Sequence, residues 1–122
     1  MIWFFKPYSF EKDIGEAYNR YCSLVPDNDW ICIMDGDSMF LNSDYGHVIQ
    51  NYIDKYPDAA LFIPITNRVG ARYQCYKNER SENDSIRHHK RISNQIKGDY
   101  SVKDLTEYKV TMPCYIFKKS LW

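Results

Sequence analysis

Apolar and polar positions follow one another along the chain in blocks that read as strand, helix, strand, helix and strand. Ile2–Phe5 is an unbroken apolar and aromatic run closed by Lys6-Pro7, the pattern of a buried strand. Asp13 and Glu16 then stand in capping-box order, with Asp13 placed to accept from the free backbone N–H groups of a first helical turn. From Ile14, the positions Ala17, Tyr18, Tyr21 and Val25 fall at offsets of 3, 4, 7 and 11, one stripe of a helix over 14–24. Pro26-Asp27-Asn28-Asp29 ends it, because proline disfavours a helical residue before it and Asp and Asn favour a turn. Trp30–Met34 contains no polar residue, as a strand covered on both faces requires. Strand, helix and strand in so short a stretch make a βαβ unit. Trp30–Met34 is therefore expected to be a central strand, parallel to Ile2–Phe5, with the helix crossing between them.

The pattern repeats more loosely downstream. Ser43 or Asp44 can cap a second helix, on which Tyr45, Val48, Ile49, Tyr52, Ile53 and Tyr56 form a complete stripe before Pro57-Asp58 stops it. Ala60–Ile65 reads as a third strand, residues 66–82 as a loop, Ser85–Ile96 as a short basic helix and Val110–Phe117 as a last strand, after which a helix could begin. The fold class expected is α/β, with a mixed or mostly parallel sheet.

Length and charge narrow the functions open to such a fold. At 122 residues the chain has the size of one domain. Sixteen basic and sixteen acidic side chains cancel, which leaves no global attraction to nucleic acid. No apolar run approaches the ~20 residues that span a bilayer, and the first residues lack a signal-peptide layout, so a cytoplasmic protein is expected. Cys22, Cys32, Cys75 and Cys114 are widely spaced and mostly in apolar surroundings, the setting of reduced cysteines that pack as small hydrophobes.

The chemistry concentrates at Asp35-Gly36-Asp37, directly after the apolar strand. Side chains two apart on an extended chain point the same way, so both carboxylates can converge, and glycine between them permits a turn or a close ligand approach. Ligands of open α/β sheets sit beyond the carboxyl ends of strands, where this pair falls. Two hard oxygen donors suit Mg²⁺ or Mn²⁺ completed by phosphate oxygens; Asp-Gly is equally a common turn dipeptide.

Residues 11–41 resemble the centre of family 2 glycosyltransferases. There a helix carrying Ala-x-Asn leads through a short turn to an aromatic-rich strand ending in Asp-x-Asp, and here Ala17-Tyr18-Asn19, Trp30 and Asp35-Gly36-Asp37 hold those places. The resemblance implies a GT-A-like, three-layer nucleotide-diphospho-sugar-binding fold, abbreviated, over a single domain of residues 1–122. It implies transfer of a sugar from a nucleotide-diphospho-sugar donor to a glycan or lipid-linked acceptor. Asp37 would ligate Mn²⁺ or Mg²⁺, Asp35 would meet the ion through water or contact the ribose or sugar, and Asn19 would belong to the donor site. Family members place more strands before the motif than the 34 residues here allow, and their catalytic base follows a segment like 112–122, so a short variant or a fragment incomplete at its C-terminus is expected.

Two other stretches carry charge to the same kind of ligand. Arg68 follows the third strand and could meet phosphate with its forked donors; it could equally be a solvated loop residue. Arg87-His88-His89-Lys90-Arg91 is the densest basic run and could face an anionic donor or a lipid phosphate, with peripheral membrane contact, though Glu79, Glu82 and Asp84 stand nearby to offset it. Strand followed by Asp-x-Asp also resembles haloacid-dehalogenase-type phosphatases, in which the first Asp is the nucleophile; that family wants Thr or Val where Met39 stands. A non-catalytic nucleotide- or carbohydrate-binding remnant is the third reading.

Overall fold

The computed structural model describes residues 1–111 and 113–122. Among them the chain is an α/β protein with one four-stranded mixed sheet and three α-helices, arranged as two compact units. The first unit comprises residues 1–39, 57–64 and 113–122; the second comprises 40–56 and 65–111.

The first unit holds the sheet, in the order β1 (Ile2–Phe5), β2 (Trp30–Met34), β4 (Cys114–Lys118), β3 (Leu61–Phe62). β1 and β2 are parallel, with Ile2 opposite Trp30 and Phe5 opposite Ile33, and α1 (Ile14–Cys22) connects them, as the sequence predicts. β4 is antiparallel to both β2 and β3, so β1, β2 and β3 run one way and β4 alone is reversed. The register places Phe5, Ile33 and Tyr115 in one row of a sheet face and Trp3, Ile31 and Phe117 in the next. Cys22 and Val25 from the helix side close over these rows, and Tyr18 packs against them. Asp13 caps α1 by accepting from the N–H of Glu16 at 3.0 Å.

Asp29 ties the ends of three strands together. Its carboxylate accepts from the Met1 amino group at 3.0 Å and from the Trp3 indole N–H at 2.8 Å, and its carbonyl accepts from the N–H of Lys119 at 2.8 Å.

Several boundaries differ from those read in the sequence. α1 ends at Cys22, two residues early: Ser23 donates the last i→i−4 bond, to Asn19, and the N–H of Leu24 then tightens onto the carbonyl of Tyr21, three residues back. β3 is two residues long rather than six: it is an edge strand, and Pro64 has no N–H to extend it. β4 starts at Cys114 rather than Val110; Pro113 cannot donate to a ladder, Thr111 is claimed by Gln74, and Met112 lies outside the described residues. After β4 the chain makes a short 3₁₀ turn, Lys119–Leu121, that lays Trp122 against Phe117 with ring centroids 5.8 Å apart.

In the second unit, α2 (Tyr45–Lys55) buries Ile49 and Ile53 and turns its tyrosines to polar work. The Tyr52 and Tyr56 hydroxyls donate to the carbonyls of Asp99 and Tyr100 at 3.0 and 2.9 Å, beyond α3 (Ile86–Ile96). Ser85 caps α3, and Gly98 follows its end at φ 88°, a left-handed conformation that glycine adopts without a Cβ clash. Asp44 holds the cap position of α2 but makes no cap bond; its carboxylate instead reaches Lys97 at 2.8 Å. The stretch 66–82, expected as a loop, contains two 3₁₀ turns, Arg72–Gln74 and Tyr76–Asn78. At the end of the first, the buried Gln74 clasps Thr111, donating to its carbonyl and accepting from its N–H, both at 2.8 Å.

All four cysteines are free and buried. The Cys32 and Cys114 sulfurs lie 3.7 Å apart, and that contact together with burial pushes the Cys32 thiol well above its usual range. No helix among the described residues is long and apolar enough to cross a membrane.

The hydrogen bonds from Trp3 and the Met1 amino group hold the Asp29 carboxyl below its ordinary value near 3.8. A depressed carboxyl contributes stability above its unfolded-state pKa and loses it as pH falls through the folded-state value. Asp29→Ala is therefore expected to lower the urea midpoint at pH 7, and the gap to wild type is expected to close as the titration is carried below pH ~3.8. A gap that persists unchanged to pH ~2 would assign the loss to something other than the charged carboxylate.

Candidate functional site

β2 stops at Met34, and the chain turns at once. The N–H of Ser38 donates to the Asp35 carbonyl at 3.1 Å, closing a four-residue turn that contains both acidic residues. The extended geometry expected to aim the two carboxylates alike is therefore absent; a hydrogen-bonded turn replaces it. The turn is pinned from both flanks. On one side the Asp35 N–H donates to the Pro113 carbonyl at 2.9 Å, just ahead of β4. On the other, the Lys6 ammonium donates to the carbonyls of Gly36 and Ser38. Parallel pairing explains that reach: with Phe5 opposite Ile33, the residue leaving β1 arrives beside the residues leaving β2.

Asp35 is half-buried and Asp37 exposed. No hydrogen bond or ion pair occupies either carboxylate among the described residues, so both present unused oxygen donors. Tyr18, on α1, stands near: burial first, then the charge of Asp35, then Tyr115, raise its phenol above the ordinary value. Its hydroxyl is thus a protonated donor at neutral pH. The sequence marks Tyr18 only as a core position and Lys6 only as the end of a strand. The sign that could have found Lys6 is the parallel βαβ register itself, which brings the first residue after each strand to one edge.

The other sequence-predicted residues have partners elsewhere. The Asn19 side-chain oxygen accepts from the Trp122 indole at 3.2 Å and makes no hydrogen bond to Asp35 or Asp37. Arg68 belongs to the second unit, where it is hydrogen-bonded to Asp84 and lies 3.7 Å from Glu82. Two of the acids expected to offset the α3 basic run are thereby engaged by Arg68. His89 is buried, with its ring nitrogen on the Asn83 carbonyl, and His88 meets it edge-on with centroids 5.1 Å apart, so the two are packed rather than aimed at one ion.

Among the described residues no group of three or more His, Cys, Asp or Glu is placed to hold a metal ion. Asp35 and Asp37 fit one kind of ion only, a hard and largely hydrated cation such as Mg²⁺ or Mn²⁺ that takes the rest of its shell from water and ligand oxygens. No family model, curated protein or solved structure matches the chain.

Gly36 needs neither a left-handed backbone nor the space it leaves: its φ is not positive, and nothing lies within 4 Å of an added Cβ. Gly36→Ala is expected to leave thermal stability unchanged or raise it, by about 0.4–1 kcal/mol, through a less flexible unfolded chain. Lys6→Ala removes one flank of the turn and is expected to speed amide exchange at Ser38 on the order of tenfold, with global stability little altered. Unchanged exchange at Ser38 would show that Pro113 alone holds the turn.

Proposed function

We propose that Asp35 and Asp37 form the donor site of a metal-dependent glycosyltransferase that binds a nucleotide-diphospho-sugar, as in the family 2 enzymes that residues 11–41 resemble. The observation that carries this reading is the turn itself. It sets two unpartnered carboxylates at the carboxyl end of a buried central strand and fastens them from β1 and from the start of β4. The mixed sheet, with three strands in one direction and one reversed, supports a GT-A-like architecture.

In this reading the exposed Asp37 ligates Mn²⁺ or Mg²⁺, and Asp35 acts through a water or on the ribose. When bound, the ion neutralises charge on the departing nucleoside diphosphate. Lys6 adds a positive charge beside the same turn, on the carbonyls of Gly36 and Ser38, where it would favour an anionic ligand. Tyr18, its phenol protonated at neutral pH, stands beside Asp35. The acceptor is a glycan or a lipid-linked saccharide, met in the cytoplasm with peripheral contact to a membrane where the acceptor is lipid-borne. No residue is assigned as the catalytic base.

Calorimetry with Mn²⁺ and a panel of nucleoside diphosphates tests the reading. Mn²⁺ alone is expected to bind weakly, and each partner is expected to tighten the other on the order of tenfold, about 1.4 kcal/mol of coupling. Asp37→Asn keeps the side-chain size, removes the charge and is expected to abolish the coupling; Asp35→Asn is expected to weaken it less. Nucleotide affinity indifferent to metal in wild type would reject the donor site. A site that prefers a free phosphate mimic would point instead to phosphatase chemistry.

A further inference from the structure

α3 presents a row of cations that its neighbours do not neutralise. Arg87, Lys90 and Arg91 are exposed, and none forms an ion pair among the described residues, since Arg68 engages Glu82 and Asp84. Further along, Lys97 is spent on Asp44. Lys90 alone of these unpaired cations lines a cavity of about 370 Å³, at the small end of the range for ligand pockets.

Two aromatic rings line the same cavity. Phe40 and Tyr45 stack on one another with ring centroids 4.6 Å apart and planes 11° from parallel. Asn42 and Asn94 share the lining with Leu41, Ser43 and the ion-paired Asp44 and Lys97, and neither amide side chain makes a hydrogen bond among the described residues. Each offers both donors and an acceptor, the mixture that hydroxyl groups require. A stacked aromatic pair, two amides and one ammonium that have no hydrogen bond or ion pair among the described residues match a small polyhydroxylated ring bearing one anionic group.

We propose that this cavity binds an anionic monosaccharide, with the ring on the Phe40–Tyr45 pair and its phosphate or carboxylate on Lys90. Every lining residue belongs to the second unit, so the proposal stands independently of the Asp35–Asp37 site. Lys97 stays with Asp44, and that pair holds the first residue before α2 against the end of α3, shaping the cavity rather than reading the ligand.

The test is an NMR titration of the full chain with glucose 6-phosphate, glucuronate, glucose and inorganic phosphate, followed at the side-chain amides of Asn42 and Asn94. At least one anionic sugar is expected to bind saturably, and glucose and phosphate each about tenfold more weakly, a difference of about 1.4 kcal/mol. The stronger of the two anionic sugars identifies whether phosphate or carboxylate is read. Lys90→Gln, at an exposed position, is expected to remove the advantage of the anionic sugar over glucose without altering the unfolding temperature. Tyr45→Ala is expected to weaken every sugar and leave phosphate unchanged. The proposal falls if inorganic phosphate binds as tightly as glucose 6-phosphate, if Lys90→Gln leaves the preference intact, or if neither anionic sugar gives saturable shifts.

Discussion

One acidic side chain, that of Asp29, sets the alignment on which the first unit depends. It gathers the start of β1 through Trp3 and the Met1 amino group, while its own carbonyl holds the chain leaving β4. Because side chains alternate along a strand, a slip of one residue would turn Ile31 and Ile33 away from α1 and bring Cys32 toward it. The alignment fixed at this end is transmitted along β2 to the other, where it delivers Lys6 and Pro113 to the two sides of the Asp35 turn. A polar knot at one edge of the sheet thus positions a polar turn at the other, with the most deeply buried residues of the chain between them.

What could be read from the sequence was local. The capped α1 and the apolar β2 announce themselves through a helical stripe and an uninterrupted run, and their parallel pairing with β1 follows from the short connection. The antiparallel insertion of β4 between β2 and β3 has no local signature, since nothing in Cys114–Lys118 says which strand edge it will meet. Strand ends were misjudged where proline intervened, at Pro64 and Pro113, because apolar composition continues past the point at which a missing N–H ends the ladder.

The site was legible to the same extent. Asp35 and Asp37 stand out by type and by position after β2, and the turn that the Asp-Gly dipeptide equally suggests is the backbone that forms there. Asn19 and Arg68 were legible as polar groups and not as groups with partners, because Trp122 and Asp84 approach them through the fold. Lys6 and Tyr18 gain their place only from tertiary register. In the second unit the tyrosines of the second helical stripe resolve into hydroxyls that fasten the residues after α3 and rings that stack.

The pairing of β2 with β4 also sets an order of events. Cys32 and Cys114, in contact across that pair, are 82 residues apart, and closing so long a loop carries an entropic cost that must be met before the contact repays it. A growing chain can form β1, α1 and β2 early, because their pairing spans few residues. Pro113 is synthesised well after β1, α1 and β2, so the turn bearing Asp35 has only its Lys6 flank until β4 docks beside β2. The acidic turn therefore takes its final shape only when β4 docks, and a chain that has paired β1 with β2 alone carries the two carboxylates on a turn held from one side.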